Sequence, residues 1–291
     1  MIYTVQNEYL KIRIAQFGAV LTSIQSQESG HEFLWQGDKS VWNGQSPILF
    51  PIIGKLLDDK CRIDGKEYEI IRHGLARHRD FTCISERENE LVFLQKSDDE
   101  TKRAYPFDYE LYITFTIDKN SLTVTHTVKN PNAKTMYFSL GAHPAFNCAL
   151  GDKLVFEKQE TLVSERIDHD SVITGETDLI LENSDTLLLT EHLFDKDALI
   201  FEGVQSDFVT LHREAAHTKM RFTFGDAPFL AIWAKPAAPF VCIEPWYGIN
   251  DSYEKKNDFS EKRGIVALPA GEEFSFSWKA EFFENTETEV K

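Results

Sequence analysis

The stretch Tyr109-Glu110-Leu111-Tyr112-Ile113-Thr114-Phe115-Thr116-Ile117 alternates: its odd positions are all apolar and most even positions are polar. Successive side chains of a strand point to opposite faces, so the pattern predicts a half-buried β-strand and not a helix. Asp118-Lys119-Asn120 turns the chain, after which Leu122, Val124 and Val128 share one face, opposite Thr123, Thr125 and Thr127. His126 falls on the apolar face. A core histidine with a local hydrogen bond is favoured over a catalytic one, because buried polar groups are normally paired.

Outward from this stretch the same signals recur. Residues 9–24 read as two short strands around a turn at Phe17-Gly18. Cys61-Arg62-Ile63, Asp64-Gly65 and Lys66-Glu67-Tyr68-Glu69-Ile70 make a hairpin, since Asp-Gly suits a two-residue turn. Further strands are expected at Lys153-Leu154-Val155-Phe156, Phe208-Val209-Thr210-Leu211, Arg221-Phe222-Thr223-Phe224 and Phe229-Leu230-Ala231-Ile232-Trp233. The last is Phe274-Ser275-Phe276-Ser277-Trp278-Lys279-Ala280, after a Pro269-Ala270-Gly271 turn. Helical pattern is scarce: Thr190-Glu191-His192-Leu193-Phe194 suits a short capped turn, and residues 251–262 a polar loop or short helix. Many short strands separated by turns argue for an all-β sandwich or barrel over βαβ units. With no linker, repeat or low-complexity run, residues 1–291 are expected to form a single domain, whose polar tail, residues 284–291, frays.

Composition narrows the function. The chain is 291 residues long, 42% hydrophobic and rich in Phe (22), enough for a large core and broad packed sheets. A net charge of −16 argues against nucleic acid and anionic membranes as partners, which need basic patches. The cysteines at 61, 83, 148 and 242 form no CxxC pair and are expected to be reduced, mostly buried thiols. No His/Cys/Asp spacing suits a metal, so neither metal nor cofactor is expected. The start Met1-Ile2-Tyr3-Thr4-Val5-Gln6-Asn7-Glu8 lacks a signal-peptide pattern and no apolar run suits a membrane helix, so a cytoplasmic protein is expected.

Three segments carry candidate chemistry. In Ser139-Leu140-Gly141-Ala142-His143-Pro144-Ala145-Phe146-Asn147, Pro144 ends a strand and leaves His143 where a side chain can face a cleft. Phe146 and Asn147 add an apolar wall and a hydrogen-bonding amide. A histidine beside proline is otherwise commonly structural. In Cys242-Ile243-Glu244-Pro245-Trp246-Tyr247-Gly248, a carboxylate follows an apolar run; burying it is costly unless it is paired or functional. The alternative is a surface glutamate at a strand end. Trp246 and Tyr247 offer aromatic faces with polar tips. The third segment holds Arg72, His73, Gly74, Arg77, His78 and Arg79, closed by Asp80, and reads equally as a solvated loop or a ligand contact. Together the segments offer an acid, a base, basic donors and aromatic faces, which suit a neutral polyol such as a sugar. Ser46-Pro47-Ile48-Leu49-Phe50-Pro51-Ile52-Ile53-Gly54-Lys55 lacks the first glycine and the final Ser/Thr of a phosphate-binding loop. It leaves Lys55 as an exposed residue or a donor at the cleft rim.

The order Phe50-Pro51-Ile52-Ile53-Gly54-Lys55, His73-Gly74-Leu75-Ala76-Arg77, Gly141-Ala142-His143-Pro144-Ala145-Phe146-Asn147 and Glu244-Pro245-Trp246-Tyr247-Gly248 resembles the aldose 1-epimerase (mutarotase) family, in particular its LacX-like branch, over nearly the whole chain. The resemblance implies a large antiparallel β-supersandwich, with His143 as general acid, Glu244 as general base, and His73 and Arg77 in a sugar pocket. It also implies a sugar-binding aspartate at Asp207. Lys55 stands where the better-characterised galactose mutarotases carry an arginine. Substrate contacts are thus expected at His73, Arg77, Asn147, Asp207, Trp246 and Lys55, with the neighbouring carboxylate favouring a charged His143 imidazole. Three readings follow, in order: an epimerase of free hexoses, a hexose 6-phosphate 1-epimerase gripping phosphate with residues 72–79, and a non-catalytic carbohydrate-binding sandwich stacking sugar on Trp246 and Tyr247. The last requires His143 and Glu244 to lie too far apart to flank one ring. The expected partner is a small-molecule sugar, free or phosphorylated, on a monomer or homodimer.

Overall fold

The computed structural model describes residues 1–254 and 258–284. The alternating stretch becomes the strand Glu110–Asp118, paired antiparallel with Ser121–Lys129 from Asp118↔Ser121 onward. Lys119 and Asn120 make the turn, with Lys119 at a φ of 50°. Leu111, Ile113, Phe115, Leu122, Val124 and Val128 are buried, as the alternation requires. On the opposite face Thr125 and Thr127 hydrogen-bond across to Ser277 and Ser275, a cross-strand polar ladder on the wet side.

These strands belong to an antiparallel sheet of fifteen. Across it run Ile48–Leu49, Leu140–Ala142, Phe240–Tyr247, Phe229–Trp233, Leu199–Glu202, Lys153–Ile167, Phe208–Arg213, Thr218–Thr223, Glu273–Glu284, Ser121–Lys129, Glu110–Asp118, Glu90–Lys96 and Thr82–Arg87. Ala145–Asn147 also pairs with Phe240–Tyr247, and Ile173–Leu188 with Lys153–Ile167. A smaller sheet of Ile2–Gln6, Leu10–Ala15 and Val20–Ser26 buries Val5, Ile12, Ile14 and Leu21 in the same apolar cluster as Phe93, Phe115 and Trp278 of the large one. The fold is therefore an all-β antiparallel supersandwich, held by apolar faces that stabilise it by about 1.5–3 kcal/mol per fully buried large side chain.

The hairpin at Asp64-Gly65 forms between Lys60–Ile63 and Lys66–Glu69. Lys153-Leu154-Val155-Phe156 is only the start of the fifteen-residue strand Lys153–Ile167, and its partner Ile173–Leu188 carries no alternating signal because only Ile173, Leu181 and Leu187 of its residues are buried. Glu284 does not fray. It pairs with Thr218 and accepts hydrogen bonds from Ser26 and Ser29; residues 285–291 lie outside the described residues, as do 255–257 of the polar 251–262 segment, where Phe259–Glu261 is a 3-10 turn. Cys148 and Cys242 are buried and Cys61 and Cys83 half-buried, and none of them forms a disulfide among the described residues. Among the described residues no helix is long and apolar enough to cross a membrane.

Candidate active site

Sheet register builds the centre of the site. The strand Phe240–Tyr247 pairs with Leu140–Ala142 through Gly141↔Trp246 and with Ala145–Asn147 through Ala145↔Cys242. The partner is interrupted between those pairs at His143-Pro144, so the register sets His143 opposite Glu244. Side chains directly opposite one another on one face lie within reach, and His143 Nε2 is 3.3 Å from Glu244 Oε1. Pro144 ends the strand as its missing N–H predicts. On the other side Glu244 faces only the methyl of Ala231.

Both partners are deep, with His143 7% and Glu244 1% exposed. Burial lowers the imidazole pKa to about 3, aided by the Arg77 cation. Burial also pushes the Glu244 carboxyl well above its ordinary value, against the hydrogen bond that Trp246 Nε1 donates to Glu244 Oε2 at 3.2 Å. This corrects the expected charged imidazole: loss of solvation outweighs the attraction of the carboxylate, and neither partner favours a charge at rest.

Other elements supply the walls. Trp42 stacks on His143 with ring centroids 5.3 Å apart, and Trp233 meets it edge-on at 5.6 Å. His73 also approaches edge-on, at 5.9 Å. His73 has a φ of 61° and is followed by Gly74 at 75°. A Cβ at Gly74 would stand 2.2 Å from the Phe50 carbonyl oxygen, so that turn requires glycine. The Gly54 N–H donates to His73 Nδ1 at 3.2 Å, which leaves the proton of the neutral ring on Nε2. Burial, then His143 and Arg77, hold His73 well below the ordinary histidine range. Arg77 is half-buried, and burial and neighbouring Arg72 lower its pKa; no carboxylate pairs with its guanidinium among the described residues. Arg72 is anchored by Ser171 Oγ.

The remaining candidates are placed elsewhere. Trp246 is 4% exposed, with its indole against Gly141, where a Cβ would come within 2.8 Å; it holds Glu244 and offers no stacking face. Tyr247 is tied through its hydroxyl to Asp226. The Asn147 amide donates to the carbonyls of Glu32 and Leu34, pinning a neighbouring segment. Asp207 is exposed and precedes the strand Phe208–Arg213, which three strands of the sheet separate from Phe240–Tyr247. Lys55 lies near Asp59 and Asp170, at 3.7 and 3.8 Å. Arg79 is bound by Asp98 and Glu100 and is not available to a ligand.

Three residues near the centre went unread in the sequence. Trp42 and Trp233 supply the aromatic faces expected of Trp246 and Tyr247. Asp197, at a φ of 75°, lies close enough to push Glu244 further up and lines a recess with Trp233, Phe194 and Arg166. His143, Cys242 and Glu244 also each place a potential ligand atom within 4.8 Å of the others.

The family model described as Aldose 1-epimerase matches residues 1–279. The plasmid-encoded Protein LacX of Lactococcus lactis subsp. lactis is 35% identical over 284 residues, covering 92% of this chain and 95% of LacX, and its chromosomal counterpart matches equally. A galactose mutarotase related enzyme from Lactobacillus acidophilus superposes with a TM-score of 0.93 at 31% identity, covering 98% of both chains. A galactose mutarotase-like protein from Lactobacillus casei ATCC 334 gives 0.92 at 32%, covering 97% of this chain and 100% of that one. Galactose 1-epimerase from Lactobacillus acidophilus NCFM shares the fold, with a TM-score of 0.72 at 14% identity over 97% of this chain and 93% of its own.

Proposed function

The chain belongs to the aldose 1-epimerase family, and from that membership we propose that it interconverts the α and β anomers of a hexose, with His143 and Glu244 opening and reclosing the ring. The observation that carries this reading is the 3.3 Å contact between His143 Nε2 and Glu244 Oε1. The two oxygens that must exchange protons, the C1 hydroxyl and the ring oxygen, are bonded to the same carbon. An acid and a base in mutual contact therefore suit them.

The pair holds one proton, which rests on the Glu244 carboxyl and crosses the 3.3 Å contact to His143 Nε2 before the ring opens. Glu244 takes the proton of the C1 hydroxyl while His143 delivers the shared proton to the ring oxygen, and the C1–ring oxygen bond breaks to give the open aldehyde. The pair is left as a neutral carboxyl beside a neutral imidazole, the form that burial favours. Rotation about C1–C2 presents the other carbonyl face. The steps then reverse, with His143 as base and Glu244 as acid. Each transfer contributes about 10²–10⁴-fold. Trp246 fixes the carboxylate from behind, and the His73 Nε2–H donor and the Arg77 guanidinium are polar groups beside the pair that suit sugar hydroxyls.

A hexose 6-phosphate is the second reading, favoured by one observation. Arg77 has no carboxylate partner among the described residues and lies beside Arg72, a pair suited to a phosphate. The purely binding reading loses its support, because the dyad is in contact and Trp246 is enclosed.

The test is anomer relaxation of freshly dissolved α-glucose, α-galactose and α-glucose 6-phosphate, followed by NMR with wild type beside Glu244→Gln. Acceleration by wild type alone is expected. Full activity in the variant would sink the assignment, and an Arg77→Ala loss confined to the phosphorylated sugar would select the second reading.

A further inference from the structure

The dyad shares its face of the sheet with a third group. Cys242 and Glu244 are two residues apart on one strand, so their side chains point the same way, and the register that puts His143 opposite Glu244 puts Ala145 opposite Cys242. A ring nitrogen of His143, the Cys242 thiol and a Glu244 carboxylate oxygen consequently lie within 4.8 Å of one another. Bond lengths of about 2.3 Å to sulfur and 2.0–2.2 Å to nitrogen and oxygen place the ligand atoms of a tetrahedral zinc roughly 3.3–3.8 Å apart. Small side-chain rotations close that gap. His143 Nδ1 is buried without a hydrogen-bond partner, so no hydrogen bond at Nδ1 resists a small rotation of the ring about its Cβ–Cγ bond.

We propose that His143, Cys242 and Glu244 form a binding site for a thiophilic divalent cation, Zn²⁺ in the first place, that captures the catalytic pair and switches the enzyme off. Three protein ligands with a fourth position left to water is the usual composition of an open zinc site, and a mixed thiolate, imidazole and carboxylate set selects zinc over the hard cations magnesium and calcium. Charge favours it as well. One thiolate, one carboxylate and a neutral imidazole make a neutral complex with a divalent ion, which a site this dry tolerates better than a bare cation. On binding, the thiol proton and the proton held by the dyad pass to solvent. Glu244 and His143 then have no proton to exchange and their lone pairs are engaged. The fully buried thiol, which the sugar chemistry does not use, thereby acquires a role.

The site is that of the proposed epimerase chemistry, but its occupancy is read without sugar, so a failure here is distinct from a failure there. Tag-free protein is titrated with Co²⁺, which reports a thiolate ligand by a near-ultraviolet charge-transfer band. One equivalent is expected to produce the band and Zn²⁺ to abolish it by displacement. The band is expected to vanish in Cys242→Ser, and Glu244→Gln, which keeps every cysteine, is expected to weaken Co²⁺ binding by at least the roughly 10–100-fold that even an outer-sphere partner contributes. Zn²⁺ should stop wild-type turnover at the concentration that displaces Co²⁺, while Cys242→Ser turns over and resists Zn²⁺ at least tenfold better. No band, a band that persists in Cys242→Ser, or unchanged affinity in Glu244→Gln would overturn the proposal.

Discussion

Two buried histidines in this molecule share a depressed pKa and an unpartnered Nδ1 and differ in their neighbours. His126 lies on Ser121–Lys129, 1% exposed, stacked on Phe276 with ring centroids 4.6 Å apart and planes 8° from parallel. His143 is 7% exposed and faces Glu244. Burial drives both imidazoles to a pKa of about 3, and each has an Nδ1 without a hydrogen-bond partner. A perturbed, under-bonded histidine is therefore not enough to define a site. At His143 a second titratable group meets the ring across the sheet, and cationic side chains converge from other segments. At His126 the neighbours are apolar. The hydrogen bond expected there is missing at Nδ1, and flat aromatic stacking takes its place.

Substitution should separate the two most sharply in turnover. His143→Asn should lower anomer interconversion by about 10²–10⁴-fold, measured by NMR relaxation of α-glucose, whereas His126→Phe should leave it unchanged. Equal losses would break the comparison.

Acid stability should not separate them. A folded-state pKa of about 3 against 6.5 unfolded means that between those values the unfolded chain binds more protons. His126 thus removes stability as pH falls from 6.5 to 3, by up to roughly 5 kcal/mol at 1.36 kcal/mol per unit. His126→Phe should then melt higher than wild type at pH 4 and differ by less than about 1.5 kcal/mol at pH 7. His143→Asn should gain in acid with the same sign, since His143 also titrates at about 3 when folded. The raised Glu244 carboxyl contributes stability below its unfolded value of 4.5 that is lost as pH rises through the folded one, but it is present in both proteins and cancels from their difference. Thermal melts from pH 3 to 8 on the three proteins check the signs.

A smaller effect is expected one step back from the dyad. Trp246→Phe removes the indole N–H that holds Glu244 Oε2 and should lower kcat by roughly 10–100-fold, the equivalent of a charged hydrogen bond, with KM little changed. A fall in affinity instead would place Trp246 against the sugar. Smallest of all, Asp207→Asn should leave turnover unchanged and stability within about 0.5 kcal/mol.

How much was legible follows from where the information resides. Alternation in 109–117 announced a half-buried strand because one face of it meets the core. Ile173–Leu188 gave no such signal because its hairpin projects into solvent, where period two carries no apolar mark. His143, Glu244, His73 and Arg77 were identifiable from the ordered motifs, and the structure brings them together. Trp42 and Asp197 belong to connections whose position depends on the folded path of the chain. Trp246 misled because an aromatic beside a glutamate reads alike whether its ring faces solvent or, as here, lies over Gly141 with its N–H on the carboxylate. The thiol of Cys242 gave no metal spacing, since its partner histidine is 99 residues away and joins it only through the sheet register.

That register has a consequence for how the molecule can change. Glu244 and the strand ends flanking His143 belong to the hydrogen-bonded framework of the large sheet, while Trp42, Arg72, His73, Arg77 and Asp197 lie on the connections between strands. On the proposed function, insertions or substitutions in those connections would reshape what is admitted without disturbing the proton-handling pair. The division would let selectivity drift among sugars, or between neutral and anionic ones, while the reaction stayed the same.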